Sequence, residues 1–489
     1  GNSIQSGGNF NTVVGDEAGT AITTGDSGTL VGFSAGAALT TGFGNTAIGF
    51  NALKTEDAHG SNVAIGYKAL EDLNAGAEGQ NIAIGYESGQ NITTGVENTI
   101  VGTNAGDALT DADFNVAVGR NALTADTLGS RSVAVGTAAL QAQNFTTATD
   151  SNNTAVGFSA GKAITTGQSN VLVGSGAGDA LTDADANVAV GKSALGADTL
   201  GSTSTAIGRG ALKVQNFTTA TNVYNTAVGA FAGEAVTTGV QNTLIGGLAG
   251  TAMTTGINNV LVGALSGDVL TDADYNVAVG HQSLTSDTKG GSAVAVGYAA
   301  LFSQNFTTST DNYNTGVGYN AGGAVTTGTQ NTLIGGLAGD ALTDADKNVA
   351  VGRSALTTDT LGSKSTAIGY SALDSQNFTT ATDSHNTAVG HLAGLSVTTG
   401  VKNNFIGSLS GDAITIGSKN VAVGTETLST DVQGSKSTAI GQGALFAQNF
   451  TTATDTFNVA VGFEAGVSVT TGIRNTLIGG LAGDALTDA

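Results

Sequence analysis

The aspartates Asp179, Asp183 and Asp185 lie within seven residues of one another, and Asp340, Asp344 and Asp346 repeat the spacing later in the same 489-residue chain. Asp268, Asp272 and Asp274 do so a third time. Carboxylates at such density suit a hard cation, and calcium takes six to eight oxygen ligands. Two or three aspartates per stretch fall short of that number. The glycine and terminal glutamate of an EF-hand loop are missing, as is the nonapeptide of calcium-binding β-helices. Asp is also a good turn former, which is the simpler reading. No cofactor is expected, and calcium is the one ion these residues would favour.

A second chemistry is sugar recognition. Phe145, Phe217, Phe306, Phe378 and Phe450 each sit in a Gln-Asn-Phe-Thr-Thr stretch. An exposed aromatic row beside Asn and Thr would stack on sugar rings and hydrogen-bond their hydroxyls. The competing reading is that each ring folds inward and staples its loop, and it is the one the residues favour. Other aromatics follow a recurrent glycine (Phe50, Tyr67, Tyr86, Phe158, Tyr298, Tyr319, Tyr370) and are expected to decorate a corner. Paired Thr-Thr residues would suit an ice-binding face only if they alternated. Adjacent residues on an extended chain point in opposite directions.

Catalytic patterns are lacking. Cysteine is absent, so there is no thiol nucleophile, thiolate metal site or disulfide. His59, His281, His385 and His391 have no second histidine at metal-ligand or triad spacing. The Gly-x-Gly matches belong to repeat corners and lack the strand-to-helix context of a phosphate loop. No enzyme is expected, and a glycan-cleaving carboxylate pair assembled across chains is the remote alternative. Sixteen basic against 38 acidic residues give a net charge of −22, which opposes nucleic-acid binding. No run of about 18 apolar residues exists to span a membrane as a helix. The chain starts at Gly1 without a visible signal peptide and stops inside a repeat, which suggests a fragment or processed chain.

The scaffold that carries these residues is a repeat. Gly15, Gly32, Gly49, Gly66 and their successors to Gly479 each follow Val or Ile, mostly 17 residues apart, in 27 units. Asn opens 21 of the units. A run such as Val188-Ala189-Val190 has the β-branched alternation of a strand, with its outer pair on one face and Ala on the other. The invariant Gly implies a corner with positive φ or close backbone approach. A second run, such as Ala180-Leu181-Thr182, is expected to be a second short strand. Two strands and two corners make one coil of a β-solenoid. Stacked Asn residues would form a ladder that satisfies their amides between layers and would tolerate a left-handed corner.

A longer rhythm is superimposed. Residues 1–80 form irregular leading coils. Super-repeats follow at 81–152, 153–224, 225–313, 314–385 and 386–457, with a partial one at 458–489. All belong to a single repetitive shaft, 1–489. Each cycle ends in a coil four residues longer than its neighbours, and the cycle from Asn225 holds one additional coil. The surplus residues are expected to protrude. At about 4.8 Å per stacked strand, 27 coils would reach roughly 130 Å.

Both faces of the strand carry apolar residues, which implies cover on both sides. Packing several chains about an axis would supply it, with three the preferred number and two the alternative the residues leave open. Asn153-Thr-Ala-Val-Gly157, Asn187-Val-Ala-Val-Gly191 and Ser365-Thr-Ala-Ile-Gly369 resemble the head repeats of YadA-like trimeric autotransporter adhesins. The longer Ala-Gly-x-Ala-x-Thr-Thr-Gly-x-x-Asn-Thr phrase is still more similar to repeats in bacteriophage tail fibres, marine ones included. The resemblance covers nearly the whole chain. It implies a left-handed parallel β-roll, a homotrimer and a role in adhesion. The coils here are longer than in the adhesin heads, and no coiled-coil stalk, membrane-anchor strands or fibre chaperone domain is recognisable. The expected function is a tail-fibre shaft on the virion surface that presents a receptor-binding end to the host. The alternative is a bacterial cell-surface adhesin or extracellular filament. Expected partners are two further copies and a surface glycan or protein receptor.

Overall fold

A computed structural model describes residues 7–488. Among them there is no helix, and the chain is a parallel β-solenoid of about 27 turns. Two compact units are formed, Gly1–Gln241 and Asn242–Ala489. Each coil contributes one three-residue strand. In the first unit Thr154–Val156 pairs in parallel with Val171–Val173, which pairs with Val188–Val190, and the register is uniform: Thr154 opposite Val171, Val171 opposite Val188. In the second unit Thr243–Ile245, Val260–Val262 and Val277–Val279 follow the same rule.

The strand's middle residue points inward and is fully buried, as at Ala155, Leu172 and Ala189. The flanking Thr, Val or Ile residues point outward and are half-buried. Strand length is limited by the corner that follows. Gly157 has φ +146°, and a Cβ there would lie 2.4 Å from the Gly174 carbonyl oxygen of the next coil. Both expected reasons for glycine therefore apply at once, since no side chain fits that gap and few residues adopt that φ.

The second run is not a strand. Leu181 N donates to Gly178 O within its own turn (3.2 Å), while Thr182 N reaches Thr199 O of the next coil (2.9 Å). Gly178 is left-handed (φ +55°), which breaks the extended conformation a strand needs. Among the described residues second ladders exist only as two-residue pairs, such as Gly129–Ser130 with Thr149–Asp150 and Gly362–Ser363 with Thr382–Asp383. They occur where the coil before the longer coil, with Leu-Gly-Ser, Lys-Gly-Gly or Gln-Gly-Ser at this place, meets it.

The core is a set of columns, one side chain per coil. One column in the first unit reads Ile92, Leu109, Asp126, Gln143, Ile164, Leu181, Asp198, Gln215, and every member is fully buried. Where the column is polar, a leucine elsewhere in the coil restores apolar volume: Leu123, Leu140, Leu195 and Leu212 replace the glycine of the other coils. Those leucines sit at left-handed φ, as at Leu195 (+51°). At Gly161 a Cβ would meet Leu172 Cδ1 at 2.7 Å, so the glycine makes room for its neighbour's leucine.

Candidate functional site

The opening Asn residues form the expected ladder. Asn98 Oδ1 accepts from Asn115 N (2.9 Å), Asn81 Oδ1 accepts from Asn98 N (2.9 Å), and Asn98 Nδ2 donates to Ala112 O (2.8 Å). All three side chains are buried. The left-handed corner residue is the one before each Asn, such as Phe114 (φ +60°) or Ala186 (+56°). The row therefore closes the coil from inside and offers nothing to a ligand.

The five loop phenylalanines are 5–7% exposed. An aromatic row open to sugar rings is not what the fold builds. Phe145 is drawn inward because Asp126 Oδ1 accepts from its backbone N (3.0 Å) and from Gly129 N (3.0 Å). Asp126 Oδ2 accepts from Gln143 Nε2 (2.5 Å), and Gln143 Oε1 accepts from Asn153 Nδ2 (2.9 Å). The arrangement recurs at Asp198–Gln215–Asn225, Asp287–Gln304–Asn314, Asp359–Gln376–Asn386 and Asp431–Gln448–Asn458. Burial pushes the Asp431 carboxyl above its ordinary range, against the pull of its Gln448, Phe450 and Gly434 donors. Thr146, Thr147 and Ala148 remain outside, so the protruding part of each long coil presents threonine and alanine rather than the ring.

The recurrent acidic residues are spread along the coil rather than gathered. Asp183 accepts from Thr166 Oγ1 (2.5 Å), and Asp185 accepts from Gln168 N (2.7 Å). Asp344 and Asp346 do the same for Thr327 Oγ1 (2.7 Å) and Thr329 N (2.7 Å). Asp340 accepts from Thr357 Oγ1. Asp179 and Asp340 both have carboxyls raised by burial. Asp183, Asp185, Asp340, Asp344 and Asp346 thus brace the coil before or after them. Among the described residues the one cluster with metal-ligand spacing is Glu56, Asp57 and His59, which sequence spacing did not single out. Glu56 is fully buried and accepts from His59 N (2.9 Å) and Ala75 N (3.0 Å). That matches the backbone-bracing role of Asp126.

Two surface features remain. Aromatics after the corner glycine stack on one another: Phe33, Phe50, Tyr67 and Tyr86 are 5.0–5.3 Å apart in the first unit, and His281, Tyr298 and Tyr319 are 5.4–5.7 Å apart in the second. Ring faces are covered by neighbours, and edges meet solvent. Beside them runs the outer face of the strands. Val171, Val173 and Ile207 are 37–38% exposed, as are Ile245, Val260 and Ile334. Polar residues normally occupy the solvent face of a sheet, whereas this face is in good part Val and Ile. No helix among the described residues is long and apolar enough to cross a membrane. No family model matches this chain, and no curated protein matches it.

Proposed function

We propose that the chain is a structural and adhesive fibre shaft, three copies of which pack side by side as part of a bacteriophage tail fibre. One observation carries the reading: the ribbon of half-exposed Val, Ile and Thr on the outer face of the stacked strands. A single chain leaves that ribbon in water. Burying a methylene is worth about 0.8 kcal/mol, and the gain repeats at every coil. Packing about a three-fold axis covers the ribbon with the two neighbouring copies and leaves the acidic corners outward. The net charge of −22 keeps such assemblies apart from one another and from nucleic acid. The repeat then serves length and stiffness, and attachment and receptor contact fall to its ends and protruding loops.

Light scattering on a size-exclusion column tests this directly. One chain has a mass of 47.7 kDa. The expected mass is three times that value. A particle of a single chain's mass would overturn the fibre reading.

A further inference from the structure

We infer that the corner pocket formed by Lys192, Arg209, Lys213 and Phe231 is a binding site for a small oxyanion-bearing sugar. The pocket encloses about 260 Å³ and is also lined by Ser193 and Gly210. That is slightly smaller than pockets that hold drug-sized ligands, which start at about 300 Å³, and suits a single sugar ring.

The pocket exists because of Gly210. A Cβ there would sit 2.9 Å from Phe231 Cδ1, so only glycine lets the ring lie across the corner. Phe231 in turn carries the Arg209 guanidinium, whose Cζ lies 4.9 Å from the ring centre. A stacked guanidinium is held flat with its donors directed along its edge, ready for two oxygens of a carboxylate, sulfate or phosphate. Lys213 Nζ pairs with Glu234 at 3.2 Å. Lys192 and Arg209 have no carboxylate within ion-pair distance among the described residues. Two uncompensated cations on adjacent coils are conspicuous in a chain with 16 basic residues against 38 acidic ones.

The chain supplies its own comparison. The corresponding coils of the super-repeat at 386–457 again have glycine at this place, Gly443, and again a depression, of about 230 Å³. Its lining is Glu426, Gln442, Phe446 and Glu464 where the first has Ser193, Arg209, Lys213 and Phe231. Thr425 stands for Lys192. The other three super-repeats fill the glycine position with Ala138, Ala299 and Ser371. The same backbone position therefore opens at Gly210 with a basic lining and at Gly443 with an acidic one, and of these two the basic one suits an anion. All its residues lie in one unit of one chain, so the inference stands whether or not chains associate.

The test is calorimetric titration of the full chain with galacturonate, glucose 6-sulfate and glucose 6-phosphate, with galactose as the neutral probe. At least one anionic sugar is expected to bind and galactose to fail. Which of the three binds identifies the oxyanion. Arg209→Gln and Lys192→Thr install the residues that the sister coil already accepts, so the coil tolerates them. Losing a charge-assisted hydrogen bond is expected to weaken binding about tenfold for each variant. Unchanged melting temperatures would confirm that folding is not the cause. A gain of binding is expected when Glu426→Ser, Gln442→Arg, Phe446→Lys, Glu464→Phe and Thr425→Lys are combined. Galactose binding as tightly as galacturonate, full affinity in Arg209→Gln, or no heat from any anionic sugar would each overturn the proposal.

Discussion

Asp126 Oδ2 and Gln143 Nε2 are 2.5 Å apart in the fully buried core, stacked from one coil to the next in a column where such pairs alternate with pairs of Ile and Leu. The pair is the anchor of the long coil. Its carboxylate gathers two backbone N–H groups, and its amide passes the link on to Asn153. Removing Asp126 (Asp126→Ala) orphans the buried Gly129 N and Phe145 N, leaves Gln143 Nε2 with Ser132 Oγ as its acceptor, and is expected to cost roughly 3 kcal/mol or more. The apolar double variant Asp126→Leu with Gln143→Ile is expected to regain only part of that, because Gly129 N and Phe145 N still lack an acceptor. Guanidinium unfolding of both variants gives the comparison. Full recovery in the double variant would show that the anchor is dispensable.

The corner glycines tolerate nothing larger. Gly157→Ala drives a Cβ to 2.4 Å from Gly174 O at φ +146°, and the strain alone is expected to cost about 3 kcal/mol. Gly76 has nothing within 4 Å of its Cβ position, and Gly76→Ala is expected to be neutral within about 0.5 kcal/mol. Thermal melts of the two variants separate a close approach from a mere preference for glycine.

Phe378 is expected to act through packing. Phe378→Ala removes a ring that is 5% exposed, and large-to-small changes of this kind cost about 3–5 kcal/mol. The loop at 379–381 should then be cut faster by protease, while any binding on a glycan array stays as it was. Loss of glycan binding with the melting temperature unchanged would return the ring to a contact role.

Charge on the outer ribbon should separate assembly from folding. Val173→Lys with Ile207→Lys places ammonium groups on the apolar face of two strands whose inward residues, Leu172 and Ala206, are untouched. Circular dichroism is expected to keep its β signature while the scattering mass drops toward 47.7 kDa. A mass that stays at the assembled value would place the interface elsewhere.

The buried aspartates should add stability as pH falls from neutrality toward 3.8. Burial raises the carboxyls of Asp179, Asp340, Asp412 and Asp431 above the ordinary value of 3.8. A raised group binds its proton more readily folded than unfolded. Its favourable contribution is complete below 3.8 and is lost as pH rises through the folded value. Asp383, lowered by its hydrogen bond to Lys364, has the opposite sign, and its contribution is lost only below the ordinary range. Glu71, where burial works upward but Lys68 and Asn51 outweigh it, behaves the same way. Melting temperatures at pH 7, 6 and 5 check the sign, and a steady fall would contradict it.

The repeat alone determined the class of fold, because a 17-residue period of Asn, alternating β-branched residues and a corner glycine leaves few ways to satisfy the backbone other than stacking. It also located the strand, the split of its residues between two faces and the Asn ladder, while the inward direction of the middle Ala or Leu came from the stacked structure. The second run was misread as a strand. Ala180-Leu181-Thr182 has the apolar composition of one, but the left-handed turn at Gly178 is a property of the stacked backbone that composition does not carry. The Asp–Gln pairs were legible in principle: Asp126 and Gln143 fall at the 17-residue register of Leu109. Their meaning required the tertiary structure, since a polar residue at a core position is read as exposed until a partner from the next coil is seen to satisfy it. The same holds for the pocket at Gly210. Lys192, Arg209 and Phe231 are far apart in sequence, and only stacking brings them to one corner, because a solenoid places residues one coil apart in contact and turns period into proximity.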